Sequence, residues 1–256
     1  MKIGFCAPIE SYQRVCEAGF DYIELPLSPV GQMTENEFIT FEKHLTEGRV
    51  VCPTANMFLP ANIRVAGDDA DLDRAEDYCE KALARAARMG CEVVVLGSGR
   101  SRNVSPDYDK AKASEQFARF GKKAGTIAAK HGITVVLEPL NRIESNLLNS
   151  VQQGYKMALN IDHPNVKLLA DYYHMQVEGE PLDHLFEARN YIYHVHTAGL
   201  LGRALPRAAN RREQSAFLEA LSGIGYNKRL SIEPASGTYT VEEMRQSLNL
   251  FRSLIG

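Results

Sequence analysis

Eight short apolar runs recur along this chain, and segments of helical composition separate most of them. Most of the runs are continuous rather than alternating, which is typical of strands buried on both faces of a parallel sheet. Parallel neighbours need a crossover connection, usually a helix, so this pattern favours interleaved strands and helices. The predicted strands are residues 2–6, 21–25, 50–55, 92–96, 133–138, 166–171, 191–196 and 229–233.

Three of the intervening segments carry clear helix signals. Residues 71–89 are rich in Ala, Leu, Glu and Arg, and Gly90 marks their end. Residues 110–130 have a similar composition. Residues 241–254 begin with acidic side chains in the first turn, where they suit the helix dipole.

The alternation predicts an α/β fold, a single (β/α)8 TIM barrel that forms one domain over residues 1–256. No Ser/Gly-rich linker or low-complexity stretch divides the chain. A doubly wound open sheet is the alternative, but no GxGxxG pattern follows the first strand. Gly97-Ser98-Gly99-Arg100 follows the fourth strand instead and is by itself a weak phosphate-binding signal.

Charge and cysteine usage narrow the class of protein. The formal net charge of −3 argues against non-specific affinity for nucleic acid or anionic membranes. No apolar run approaches the ~20 residues of a membrane span, and the start of the chain shows no signal peptide pattern. The five cysteines form no CxxC pair, which suits reduced, mostly buried thiols. We therefore expect a cytoplasmic protein with no nucleic-acid or membrane partner.

Four predicted strands in the second half of the chain end in a carboxylate or an imidazole. These residues are Glu138, Asp171, His196 and Glu233. In a barrel, the C-terminal ends of the strands converge on one mouth, where active sites lie. Buried charge is costly there unless it is paired or bound to a metal. The set therefore predicts an oxygen-rich divalent metal site, for which Mn²⁺ or Mg²⁺ is the preferred ion and Co²⁺ or Zn²⁺ an alternative.

Glu138 and Glu233 form a near-repeat, Val-Leu-Glu-Pro and Ser-Ile-Glu-Pro. Two carboxylates on different sides of a barrel mouth can face a substrate from both sides. That arrangement allows a proton to be removed from one face of a carbon and returned to the other. The competing interpretation is a strand-end glutamate that forms a salt bridge before a loop proline.

The residues around these four also admit two interpretations each. Asp171 is a metal ligand or a helix N-cap, and His174 beyond it contacts substrate or is a half-buried structural residue. His196 is the better ligand candidate, and His194 lies deeper on the same side of the strand. Arg203 could hold a hydroxyl or stabilise an enediolate oxygen, or it is a solvated loop residue.

Three further residues complete the predicted mouth. Glu24 and Asn56 follow the second and third strands, and both are expected among the converging side chains. Glu144, six residues after Glu138, could hydrogen-bond substrate hydroxyls, although alone it would pass as a surface residue.

Together these motifs resemble the sugar isomerase/epimerase superfamily with the xylose isomerase-like TIM barrel. The most specific is Leu-Glu-Pro-Leu-Asn-Arg-Ile-Glu at 137–144, followed by Asp-Tyr-Tyr-His-Met at 171–175 and His-Val-His-Thr-Ala-Gly at 194–199. The resemblance runs from Phe20 to the final helix. It is nearest to ketose 3-epimerases of the D-tagatose/D-psicose type and to hydroxypyruvate isomerases.

The resemblance implies roles for individual residues. Glu138, Asp171, His196 and Glu233 would bind the metal, with Glu138 and Glu233 doubling as the proton-transfer pair. Substrate contacts would come from Glu144, His174 and Arg203. The implied reaction is ketose 3-epimerisation of a small keto sugar through a cis-enediolate. Aldose–ketose or hydroxypyruvate-type isomerisation on the same site is the alternative, and dimers or tetramers are implied.

One segment departs from the family pattern. After Arg203 the family usually has a Pro-Gly-x-Gly turn with an acidic residue, whereas residues 204–213 read Ala-Leu-Pro-Arg-Ala-Ala-Asn-Arg-Arg-Glu. The added arginines leave a more acidic substrate open. Phosphate could meet Arg203, Arg207, Arg211 or Ser236-Gly237-Thr238 in this fold, although an ordinary helix start explains the last segment as well.

Two other functions use the same kind of barrel. A nuclease of the endonuclease IV type would need several zinc ions and more histidines at the mouth than His174, His194 and His196. A sugar-binding barrel without catalysis would not require both Glu138 and Glu233.

Overall fold

The computed structural model describes residues 1–235 and 239–255. Eight parallel strands pair in chain order, and the last pairs with the first, so the sheet closes into a barrel. This confirms the predicted (β/α)8 fold, and each predicted strand boundary lies within one residue of the observed one. The strands are β1 Lys2–Cys6, β2 Tyr22–Pro26, β3 Val51–Asn56, β4 Val93–Leu96, β5 Thr134–Leu137, β6 Val166–Asp171, β7 Ile192–Thr197 and β8 Arg229–Ile232.

Helices follow the strands and surround the barrel. The three helices expected from composition are observed over 72–88, 110–130 and 241–255, and the side chain of Asp71 caps the first of them. The helices are α1 Tyr12–Ala18, α2 Leu27–Gln32, α3 Glu35–Thr46, α4 Leu72–Arg88, α5 Gly99–Arg102, α6 Lys110–Lys130, α7 Val151–Ile161, α8 Tyr172–Glu178, α9 Asp183–Glu187, α10 Arg211–Gly223 and α11 Val241–Ile255.

Side-chain alternation along the strands places the functional residues inside the barrel. Val136 of β5 and Leu169 of β6 belong to a small apolar cluster that is separate from the layer between sheet and helices. Since side chains two residues apart share a face, Glu138 and Asp171 point to the same interior. Asp171 is also paired in register with His196 of β7. The fold therefore brings these three side chains to one level of the barrel.

Two properties expected from composition can be compared with the structure. The five cysteines are free thiols, and all but Cys16 are buried. Among the described helices, none combines the length and apolarity needed to cross a bilayer.

Candidate metal and proton-transfer site

The structure gathers the four strand-end residues into one buried cluster. Each offers a ligand atom, and these atoms all lie within 4.8 Å of one another. That spacing is about twice a metal–oxygen distance of roughly 2.0–2.6 Å. The members are Glu138, Asp171, His196 and Glu233.

His196 lies between the two glutamates. Its Nδ1 is 3.3 Å from Oε1 of Glu138 and 3.2 Å from Oε2 of Glu233. Strands β6 and β7 separate the two glutamates around the barrel, so the carboxylates reach the imidazole from different directions. A substrate bound against the cluster would therefore meet a carboxylate from each of two directions.

Glu24 lies below this cluster, so its expected place at the mouth is wrong. Strand β2 continues for two residues beyond Glu24, and the carboxylate of Glu24 is fully buried. One oxygen is 3.0 Å from Nε2 of His196, and the other is 2.8 Å from Nε2 of His194. When His196 is neutral, as a metal ligand must be, the hydrogen bond to the carboxylate keeps its proton on Nε2, and Nδ1 then presents a lone pair to the cluster.

The cluster fits a divalent metal ion. Nδ1 of His196 and Oε1 of Glu138 are buried, and neither has a hydrogen-bond partner within the described part of the chain. Three carboxylates and one imidazole form a predominantly hard donor set, which suits Mg²⁺ or Mn²⁺. Unpaired acceptors that face one another are costly unless a cation lies between them.

The two glutamates differ in their affinity for protons. Burial raises the pKa of Glu138. Burial also opposes ionisation of Glu233, but Arg203 and the protonated form of His196 outweigh it and lower the pKa of Glu233 to about 2 in the metal-free protein. Two carboxyl groups whose pKa values are shifted in opposite directions suit an acid–base pair.

Asp171 caps a helix and also faces the cluster, so the structure accommodates both interpretations of its sequence context. Its Oδ1 accepts a hydrogen bond of 2.9 Å from the backbone N–H of Tyr173 and so caps α8. Its Oδ2 faces the cluster and accepts a 3.0 Å hydrogen bond from Nη2 of Arg203. The helix cap therefore fixes the orientation of the proposed ligand.

His174 is held as a hydrogen-bond donor to the site. Its Nδ1 lies 3.1 Å from the backbone N–H of Asn141 and 2.9 Å from Nδ2 of the same residue. Because that N–H can only donate, the proton of a neutral His174 lies on Nε2, which points towards Asp171 at 3.5 Å. Burial lowers the pKa of His174, so the neutral form is favoured. Asn141 was missed as a site residue, although it lies within the 137–144 motif.

Arg203 covers the cluster from the loop after β7. Its guanidinium contacts carboxylate oxygens of Asp171 and Glu233, and it lies 4.8 Å above the ring of Tyr173. Nη1 is 3.4 Å from Oε1 of Glu144, which also accepts a hydrogen bond from Asn141. The structure therefore brings together all three predicted substrate-contact residues.

Two other predicted mouth features have different outcomes. Asn56 ends β3 and donates a hydrogen bond of 2.6 Å from Nδ2 to Oε1 of Glu233, so it lies at the site as expected. The phosphate candidates Arg207 and Arg211 instead contact Glu243 at 2.9 Å and the hydroxyl of Ser253 at 3.0 Å. The Ser236-Gly237-Thr238 segment lies outside the described residues.

Comparison with known proteins identifies the family and agrees with the barrel fold. Residues 12–254 match the family described as xylose isomerase-like TIM barrel. The chain is 28% identical over 228 residues to D-psicose 3-epimerase of Ruminiclostridium cellulolyticum, which covers 87% of this chain and 76% of that protein. It is 26% identical over 255 residues to a ketose 3-epimerase of Arthrobacter globiformis, covering 95% and 83%. A crystal structure of a D-psicose 3-epimerase in the presence of D-fructose superimposes with a TM-score of 0.85 at 21% identity, covering both chains fully.

Proposed function

This chain belongs to the xylose isomerase-like TIM barrel family, and we propose that it is a divalent-metal-dependent sugar epimerase that inverts C3 of a small ketose. The observation that carries the proposal is the pair of carboxylates, Glu138 and Glu233, that meet at one imidazole nitrogen. The ketose 3-epimerases among its relatives support the substrate class.

The proton-transfer steps follow from the two glutamates. Glu233, whose pKa is lowered to about 2, remains ionised and removes the proton from C3. Burial raises the pKa of Glu138, which makes it the better proton donor of the pair, and in this step it delivers a proton to the opposite face of the same carbon. In the reverse reaction the two residues exchange roles.

Neighbouring side chains hold the sugar oxygens. The Nε2–H of His174 and the guanidinium of Arg203 donate hydrogen bonds to the oxygens on which negative charge develops in the enediolate. Glu144 accepts a hydrogen bond from a sugar hydroxyl, and Asn141 fixes its carboxylate. Asn56 holds the base Glu233 in place through its amide.

Four residues would hold the metal ion: Glu138, Asp171, His196 and Glu233. When bound, a divalent cation such as Mn²⁺ or Mg²⁺ supplies Lewis-acid polarisation of the ketone and its adjacent hydroxyl.

The test is turnover of ketoses, their phosphates and hydroxypyruvate by metal-stripped enzyme in D₂O, with and without Mn²⁺, followed by NMR. Metal-dependent deuterium incorporation at C3 is the expected result. Deuterium at C1 or C2 would instead support the isomerase alternative. No exchange with any substrate would contradict both reactions.

Amide variants distinguish catalysis from binding alone. Glu138→Gln and Glu233→Gln should each lower kcat by about 10²–10⁴-fold, the usual contribution of a general acid or base. Glu180→Gln is the matched control, since Glu180 is a mostly buried glutamate that accepts hydrogen bonds at the start of α7, away from the cluster. A sugar-binding barrel without catalysis would show no turnover in the unmodified protein.

A further inference from the structure

The segment that links β4 to α5 contacts the loop that carries Glu138 and Glu144. Gly97 follows β4 and faces the carboxylate of Glu138, because a Cβ atom placed on Gly97 would lie 1.8 Å from Oε2. Any side chain at this position would displace that carboxylate. Glycine is therefore required by the close approach of Glu138, and the weak phosphate signal at 97–100 has a different explanation.

Gly99 lies similarly close to Glu144, but against its backbone rather than its side chain. A Cβ atom on Gly99 would lie 2.7 Å from the backbone oxygen of Glu144. The same oxygen accepts a 3.2 Å hydrogen bond from Nδ2 of Asn103. The chain around α5 thus touches the backbone at Glu144 as well as the side chain of Glu138.

Arg102, the last residue of α5, links these contacts. It is 1% exposed, and its Nη2 donates a 2.7 Å hydrogen bond to the backbone oxygen of Glu138. Nε lies 3.2 Å from the hydroxyl of Ser145, and Nη1 lies 3.3 Å from the backbone oxygen of Leu96 at the end of β4. One guanidinium therefore ties the end of β4 to both ends of the loop that carries the proposed acid and the proposed sugar contact.

Arg102 and Glu138 also interact electrostatically. Burial lowers the pKa of Arg102 to about 10, while the negative charge of Glu138 raises it. Arg102 therefore stays cationic at neutral pH, and its guanidinium lies against the backbone oxygen of Glu138. The ring of Phe117 packs at 5.6 Å from the guanidinium carbon.

We propose that Gly97, Gly99 and Arg102 form a cradle that positions Glu138 and Glu144, with Arg102 as the positioning residue that joins them. The inference rests on the proposed function for the meaning of those two glutamates, but its geometry is independent of the reaction. Gly97 and Arg102 act through the metal ligand, whereas Gly99 acts through the sugar contact.

The first test measures Mn²⁺ affinity by calorimetric titration of metal-stripped protein. Arg102→Met and Gly97→Ala should each weaken Mn²⁺ binding by about 10–100-fold, the usual effect of disturbing a group that orients a ligand. Arg102→Lys keeps the charge but cannot span two carbonyls and a hydroxyl, so it should restore only part of the affinity. Gly99→Ala should leave the Mn²⁺ affinity within about twofold, because Glu144 is not among the proposed ligands.

Matched controls separate positioning from loss of stability. Arg85 is also buried, bonds two backbone oxygens and lies over an aromatic ring, Phe38, but it does so between α2 and α4. Arg85→Met should destabilise the fold without changing Mn²⁺ affinity. Gly223→Ala, in α10, controls for adding a methyl group to the backbone, since its nearest contact is the exposed edge of Phe186.

Kinetics and crystallography supply the remaining outcomes. Gly99→Ala should raise KM for the ketose about 10-fold, with a smaller change in kcat, because substrate positioning is lost. If the unmodified protein binds Mn²⁺ but turns over no sugar, the proposed function fails and the affinities still decide the cradle. If it binds no metal, a crystal structure of Arg102→Met decides, and an unmoved Glu138 carboxylate would overturn the cradle. Equal Mn²⁺ affinities for Arg102→Met and Arg85→Met would overturn it as well.

Discussion

Substituting Glu24 with glutamine should weaken metal binding although Glu24 touches no metal. One carboxylate oxygen accepts hydrogen bonds from the hydroxyls of Thr54 and Ser231, at 2.9 and 2.5 Å, and from His194. Among the described residues, the other oxygen has a hydrogen bond only with Nε2 of His196. A glutamine keeps its amide oxygen where three donors converge, so its NH₂ group must face His196.

The substitution replaces a hydrogen-bond acceptor beside Nε2 of His196 with a donor. Nε2 must now accept a hydrogen bond, and the ring proton moves to Nδ1, the atom that faces the proposed metal. Metal binding still requires a lone pair on Nδ1 and therefore the proton on Nε2. The Nε2–H of His196 and the N–H of the new amide would then face each other in a buried site. An unsatisfied buried group costs about 1–3 kcal/mol, so the Kd for Mn²⁺ should rise by about 5–150-fold.

The assay is calorimetric titration of metal-stripped Glu24→Gln with Mn²⁺, alongside thermal unfolding of the metal-free protein. Glu180→Gln is again the control, because Glu180 is a mostly buried glutamate paired with a histidine, His184, at 2.7 Å. It should lower stability and leave the Mn²⁺ affinity unchanged. A folded Glu24→Gln protein with the affinity of the unmodified protein would refute the argument about the tautomer.

Three further predictions concern the same cluster. Saturating Mn²⁺ at 100 times its Kd should stabilise the fold by about 2.7 kcal/mol, which raises Tm by about 5–11 °C at roughly 2–4 °C per kcal/mol; an unchanged Tm in a thermal melt would count against the site. Asn56→Ala removes the 2.6 Å hydrogen bond to the carboxylate of Glu233, and kcat/KM should fall by about 10–150-fold, since a bond to a charged group contributes ~1.5–3 kcal/mol; steady-state kinetics would show it. Arg203→Lys cannot span Asp171, Glu233 and Glu144 at once; its kcat/KM should fall at least about 10-fold, and unchanged kinetics would remove Arg203 from the site.

The fold could be predicted because its signals are local. Buried parallel strands read as continuous apolar runs, and the helices between them carry their own caps and stops, such as Asp71 and Gly90. The boundaries agree because strands of four to six residues leave little room for error. The four residues that cluster at the candidate site could be picked out for a related reason: a charged side chain at the end of a buried run is rarely there for stability alone.

Depth along a strand was harder to predict. Glu24 was expected at the mouth because it closes an apolar run, but β2 continues through Leu25 and Pro26. The register between β2 and β3 also shifts between Tyr22 and Glu24, and no pattern in either strand announces that shift. Two residues before the end of its strand, Glu24 is too deep to join the cluster and instead hydrogen-bonds His196. A carboxylate at the very end of a strand can face the cluster directly.

Glu144, His174 and Arg203 were expected at the site, but the contacts that hold them there could not be predicted from spacing. The hydrogen bonds between Asn141 and His174 join residues 33 positions apart. Arg203 reaches the cluster from a backbone with a positive φ of 47°, a conformation that few residues other than glycine adopt. Both features depend on how loops after different strands meet over the mouth.

The charge balance of the mouth bears on the substrate. Three carboxylates face one another here, from Glu138, Asp171 and Glu233, and Arg203 contacts two of them. The guanidinium of Arg203 neutralises only one of the three negative charges, and a divalent cation would neutralise the other two. With both cations in place and all three carboxylates ionised, the cluster is close to neutral, so it gains little from a dianionic substrate. Arg207 and Arg211, the other two arginines considered for phosphate, contact side chains of α11. A phosphate group placed at this near-neutral cluster would lose its hydration without gaining a matching positive charge, so we expect an uncharged ketose to be the better substrate.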